Sequence, residues 1–143
     1  MSRKILDEDF VKNKVINWLS EQGYNKGFKI KTKGEHGVDI KVRHRRYARY
    51  YIVEAKGDPS KKVKKPASRR EVSFLIALGQ IISRMKYKAK YWYAIALPES
   101  FSDKVFRRLS WLICKKLRLK ILFVNSKGKV RCVTWRELKR RQT

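Results

Sequence analysis

Acidic residues are scarce in this chain. Twelve Asp and Glu stand against 38 Lys and Arg, which leaves a net charge of +26 on 143 residues. A folded domain this basic repels itself and invites a polyanionic partner, with nucleic acid first and an anionic membrane second. Long apolar runs are also missing. The longest, FLIALGQII, is too short to span a bilayer and contains Gln80. The opening MSRKILDEDF lacks the apolar core of a signal peptide. Together these absences set the membrane aside. The two cysteines, Cys114 and Cys132, have neither metal spacing nor a disulfide framework and read as small core residues in a reducing setting. A cytoplasmic or nucleoid-associated location fits. His36 and His44 have no partner at ligand spacing, so each reads as a solvated turn residue or at most a phosphate contact. No internal repeat is visible, and no helix-turn-helix or zinc finger is present to read bases.

What is present is enough to fold. A hydrophobic content of 43%, with four Trp, supplies a sizeable core and excludes a disordered basic tail. The length fits one domain over residues 1–143. Residues 7–22 read as a helix with Asp7, Glu8 and Asp9 in its first turn, an apolar stripe of Val11, Val15, Trp18 and Leu19, and Gly23 as its stop. FKIKTK, 28–33, alternates as a strand with Phe28 and Ile30 inward. GEHG turns the chain into a second strand around Val38–Val42, and YYIVEAK is the third. Residues 57–70 carry two prolines, one glycine and six basic residues and read as a mobile loop. A second helix is expected over 71–87 with Phe74, Leu78, Ile81 and Met85 on its core face. A second, small and polar stripe of Ser73, Ala77, Gln80 and Arg84 lies beside it. KYWYAIALP reads as a strand covered on both sides. A third helix is expected over 101–117, capped by Ser100 or Ser102, with Val105, Leu109, Leu112 and Ile113 inward. Strands at 119–124 and 129–135 and a short helix at 135–140 complete the chain.

The stretch from Gly37 to Lys56 organises the rest. Asp39 stands in an apolar strand, and Glu54 stands fifteen positions later, two residues before Lys56. Residues i and i+2 of a strand share a face, so Glu54 and Lys56 sit side by side. A hairpin through HRRYAR brings Asp39 alongside them. Two carboxylates and an ammonium then meet on one sheet, and a divalent cation compensates such buried carboxylates well.

Asp-x14-Glu-Ala-Lys resembles the signature of the PD-(D/E)XK, restriction-endonuclease-like nuclease superfamily, and the resemblance runs from the first helix to about Pro98. Val38 departs from the pattern where the family name has proline. The resemblance implies an α/β fold with a restriction-endonuclease-like αβββαβ core, a mixed central sheet flanked by helices, here with a C-terminal αββα extension. It implies hydrolysis of DNA phosphodiesters with Mg²⁺, or Mn²⁺ as a substitute, and no small-molecule cofactor. Asp39 and Glu54, with the carbonyl of Ala55, would hold the ion, and Lys56 would orient water or stabilise the transition state. An acidic residue of the first helix often helps bind metal in this superfamily. Glu8 falls on the inward stripe, although a different register would choose Asp9, and the helix dipole accounts for acids there without any function. Related nucleases often carry a glutamine in the helix after the E-x-K strand, a position Gln80 matches; an ordinary helix-flank residue is the plain alternative.

The basic residues fall into groups. Arg45, Arg46 and Arg49 cluster with tyrosines at the hairpin, where they would grip a phosphate backbone or simply guard a sheet edge. Lys61, Lys62, Lys64, Lys65, Arg69 and Arg70 lie in the loop after the carboxylates, and Arg84 can meet a phosphate in bidentate fashion. Without a base-reading module, cleavage selective for DNA structure, such as a four-way junction, by a homodimer is the leading expectation. A homing, mobile-element or defence endonuclease is an alternative, as is a non-catalytic DNA- or RNA-binding protein. Affinity for DNA should fall steeply as salt rises, because bound counterions are displaced. Titrations over a salt series check this, and a slope matching only one or two phosphates would count against a wide footprint.

Overall fold

The computed structural model describes residues 4–30, 39–86 and 90–143. It is an α/β protein built on one mixed six-stranded sheet flanked by helices. Helix α1 (Glu8–Glu21) leads into β1 (Tyr24–Ile30), β2 (Ile40–His44) and β3 (Tyr50–Ala55). Helix α2 (Pro66–Ser83) crosses to β4 (Tyr91–Pro98). A 3-10 turn (Glu99–Phe101), α3 (Ser102–Arg108) and α4 (Trp111–Leu117) then lead to β5 (Leu119–Val124), β6 (Val130–Val133) and α5 (Trp135–Gln142). The strands lie in chain order. β1, β2 and β3 are antiparallel neighbours, β3, β4 and β5 run parallel, and β6 returns antiparallel. Helical crossovers are what parallel neighbours require, so the element order dictates this pattern.

Each face of the sheet has its own core. On one face, Val11, Val15 and Leu19 of α1 pack on Ile40, Val42, Val53, Ala55, Ala94, Ala96 and Leu122. On the other, Phe74, Ala77 and Ile81 of α2 join Ile52, Ile95, Leu97, Ile121 and Phe123, with Val105, Cys114 and Leu138 from the later helices. β4 is buried on both faces, as its apolar run requires. Burial pushes the Cys114 thiol up to about 12, so it stays a neutral core group. Among the described residues, no helix is long and apolar enough to cross a membrane.

Several expectations need correction. β1 starts at Tyr24, directly after α1, because Gly23 adopts a left-handed φ of 93° and reverses the chain at once. A side chain at Gly23 would also meet the His44 ring. Ile30 is exposed rather than inward and Phe28 only half-buried, since β1 is an edge strand whose pairing slips twice. The GEHG turn, His36, Val38 and Tyr87 lie outside the described residues. The supposed loop over 57–70 ends early. Pro66 opens α2, where its fixed φ and missing N–H suit the first helical turn. α2 then stops at Ser83, and Leu78 and Met85 are only half-buried, whereas Ala77 is buried. The helix expected over 101–117 is broken at Leu109, which adopts an extended conformation. The break rotates its second half, so Leu112 and Ile113 are exposed and Cys114 faces the core. Neither serine caps it. Phe101 holds the cap position, and the Ser100 hydroxyl is used elsewhere.

Gly57 fixes how closely α1 approaches the end of β3. A Cβ there would collide with the Glu8 nitrogen and lie 2.7 Å from the Asp7 carbonyl carbon. Those are backbone atoms and cannot swing aside. Gly57→Ala should therefore destabilise the protein by about 2 kcal/mol through overpacking. Chemical denaturation checks this, and an unchanged midpoint would show that α1 sits more loosely than described.

Candidate functional site

Asp39 immediately precedes β2, and Glu54 is the last residue but one of β3. The ladder pairs Ile40 with Val53, which sets Asp39 at the level of Glu54 on neighbouring strands. Both are almost fully buried, at 3% and 1% exposure. In a chain with so few acids, burying two together is costly unless each is compensated. Asp39 Oδ2 accepts the Ala55 N–H at 2.7 Å, so the carboxylate continues the ladder where the backbone leaves it. Its Oδ1 lies 3.7 Å from Lys12 Nζ. Glu54 Oε1 accepts from Arg84 Nη1 at 2.8 Å, a charge-assisted bond of the strong kind.

The two carboxylates are reached from opposite sides of the sheet. Glu54 shares the face of Ile52, which α2 covers, and Arg84 stands at the C-cap of that helix. Gln80 lies one turn earlier, and its Oε1 is buried without a hydrogen-bond partner among the described residues. Lys12 comes from α1. It is one turn after Glu8, whose Oε2 lies 3.6 Å from the same ammonium. Glu8, Lys12 and Asp39 thus form a chain of alternating charge, while Asp9 is exposed away from it. Lys56 is half-buried, its N–H donates to the Ala96 carbonyl at 3.0 Å, and the two-residue strand repeat gives it the face of Glu54.

A second anchoring group sits just beyond. The Asp58 carboxylate accepts the Leu6 N–H at 3.0 Å and the Ser100 hydroxyl at 2.5 Å, and Arg70 Nε lies 3.7 Å away. Asp58 N–H donates to the Leu6 carbonyl at 2.7 Å. This fastens the start of the 57–65 loop, so Lys61, Lys62, Lys64, Lys65 and Arg69 stand exposed at the carboxylate end of the sheet while Arg70 turns inward. Arg45, Arg46 and Arg49 are exposed at the opposite end, on the tip between β2 and β3. His44 shapes that tip. Its Nδ1 accepts the Arg46 and Tyr47 N–H groups, and its ring packs edge-on against Tyr24.

The structure thus gathers Glu8, Asp39, Glu54 and Ala55 at one end of the sheet. It adds Lys12 and Asp58, which sequence reasoning missed. A lysine on an apolar helix stripe, one turn from an acid, was the available signal for Lys12. Nothing local marks Asp58, whose partners are remote in sequence. Among the described residues, no three His, Cys, Asp or Glu side chains converge tightly enough to form a metal-holding group by themselves. The two buried carboxylates are nonetheless hard oxygen donors of the type Mg²⁺ takes, and that ion fills most of its shell with water and substrate oxygen.

No family model matches the chain, and no curated protein matches it. A solved structure similar to it is the crystal structure of an XisH family protein from Nostoc punctiforme PCC 73102. The two are 16% identical, with a TM-score of 0.47 over 89% of this chain and 98% of that one.

The Arg84–Glu54 pair has a measurable consequence. Arg84→Met removes a cation from a buried carboxylate and should cost about 3 kcal/mol of stability. Adding Glu54→Gln should recover most of that loss. Denaturation of the two single variants and the double variant checks this, and strictly additive losses would show that the two side chains do not interact.

Proposed function

We propose that this protein is a divalent-metal-dependent endonuclease that hydrolyses DNA phosphodiesters on a restriction-endonuclease-like core. The observation that carries the reading is the burial of Asp39 and Glu54 side by side, followed by Lys56, in a chain of net charge +26. Such a pair has a use where a small cation and a phosphate meet.

In this reading Asp39, Glu54, Glu8 and the Ala55 carbonyl hold Mg²⁺. Bound there, the ion supplies Lewis acidity toward a phosphoryl oxygen and acidifies a water. Lys12 and Arg84 keep the two carboxylates charged and fixed in place. Lys56 orients the attacking water or meets the charge that develops in the transition state. The buried oxygen of Gln80 is an acceptor for that ammonium or that water. The exposed lysines of the 57–65 loop hold the backbone of the strand being cut.

A homodimer is part of the proposal. On α2, Val72, Leu75, Ile76 and Ile82 are exposed by 43–50% along one side, and a Cβ added at Gly79 would meet nothing. No charged residue occurs from Val72 to Ser83. Two strongly cationic copies can approach only through a surface free of charge, and this side of α2 is such a surface. A pair of sites would make paired nicks in a branched substrate such as a four-way junction.

A second reading has its own support. Lys12 and Arg84 already balance the carboxylates, so the cluster also suits a non-catalytic DNA-binding protein. Incubating supercoiled plasmid with the protein and Mg²⁺ or Mn²⁺ decides between them. Nicking by the wild type should fall at least a hundredfold in Asp39→Ala and in Glu54→Ala, on the order of the loss seen when transition-state electrostatics are removed. Equal nicking by variant and wild type overturns the assignment, and binding without cleavage in either metal favours the second reading. Light scattering of Ile76→Glu against wild type checks the dimer, which a monomeric wild type refutes.

A further inference from the structure

The end of the sheet opposite Glu54 holds a concave site that the catalytic reading does not use. Where β4 and β5 begin and β6 ends, Trp92, Trp135, Lys115, Arg118, Lys120 and Arg136 line a pocket of about 260 Å³. Among the described residues lining it there is no Asp or Glu. Four cations therefore converge within a Debye length of one another, where their repulsion is only partly screened.

The two tryptophans hold those cations in place. The Arg118 guanidinium and Lys120 Nζ lie 4.7 and 4.5 Å from the Trp92 ring centre. Lys115 Nζ and the Arg136 guanidinium each lie 4.7 Å from that of Trp135. An aromatic face attracts a cation without neutralising it, so these side chains are ordered yet keep their charge. Lys120 also donates to the Tyr51 hydroxyl at 2.9 Å. Burial raises the pKa of that hydroxyl, so it stays neutral and leaves the ammonium's charge in place. The first turn of α5 borders the same pocket, and Thr134 before it makes no side-chain capping bond among the described residues. The amides of a helix start favour an anion.

We infer that this pocket binds a phosphate of a nucleic-acid strand, as a second contact separate from the carboxylate end. Trp92 pairs with Tyr51, three residues before the level of Glu54, so the pocket lies on the order of 10 Å back along the strands, at 3.3 Å per residue. Arg45, Arg46 and Arg49 sit at this same end, on the tip that leads into β3. They extend the basic surface past the size of a single phosphate, which favours a strand over a free ion. The inference does not depend on the carboxylates being catalytic.

Fluorescence anisotropy of a labelled oligonucleotide with the full chain in EDTA tests it, because no metal-dependent cleavage then interferes. K115Q/R136Q removes two exposed cations from the pocket. K26Q/K29Q removes the same charge from β1 and serves as the control, with thermal midpoints confirming that both fold. The pocket variant should weaken binding about tenfold and lower the slope of log K against log salt by about one, the signature of one lost phosphate contact. The control should change both much less. Equal losses in the two variants, or no loss in the pocket variant, overturn the proposal. Inorganic phosphate and a mononucleotide are titrated as competitors. Weak competition by both supports a strand, and displacement of the oligonucleotide at equal phosphate concentration overturns the strand assignment in favour of a small phosphate ligand.

Discussion

Two carboxylates are buried where β2 begins and β3 ends, and the surrounding structure is arranged to make that tolerable. An uncompensated carboxylate in such a place would simply take up a proton. Asp39 and Glu54 instead receive charge from both sides of the sheet, Lys12 from α1 and Arg84 from α2, and a backbone N–H from Ala55 between them. The position of each helix is therefore set by electrostatics as well as by packing. α1 must bring the turn containing Glu8 and Lys12 to the sheet, and Gly57 leaves the space for it. α2 must end where Arg84 can reach back to β3.

Charge is distributed over the rest of the molecule with the same economy. The loop lysines surround the carboxylate end, the arginines of the β2–β3 tip and the tryptophan-lined pocket occupy the other, and one side of α2 is left with none. Most exposed cations in a protein are spaced by mutual repulsion. Here they are brought together over tyrosine and tryptophan rings, whose faces attract them without neutralising them.

Much of this could be read from the chain. Alternating and continuous apolar runs marked β2 to β6, though not the start of β1, and the spacing of Asp39 and Glu54 put the two carboxylates on neighbouring strands. A local pattern misleads where something distant or subtle overrules it. The apolar periodicity of 101–117 continues through Leu109, yet the backbone breaks there, and Ser100, a plausible cap, is bound to Asp58. Pro66 reads as a loop residue because no period is visible across 57–70 and prolines, a glycine and cations fill it, yet it is also a good first residue for a helix. Lys12 is hidden in an apolar stripe, where its ammonium turns to the buried Asp39 carboxylate instead of reaching water.

Asp58 joins Leu6, Arg70 and Ser100, partners that lie 52, 12 and 42 residues away along the chain. Closing such large loops is entropically slow, and the contacts return nothing until they are made. The carboxylate end can therefore be completed only after the β4 crossover has delivered Ser100, so this corner of the fold closes late in assembly.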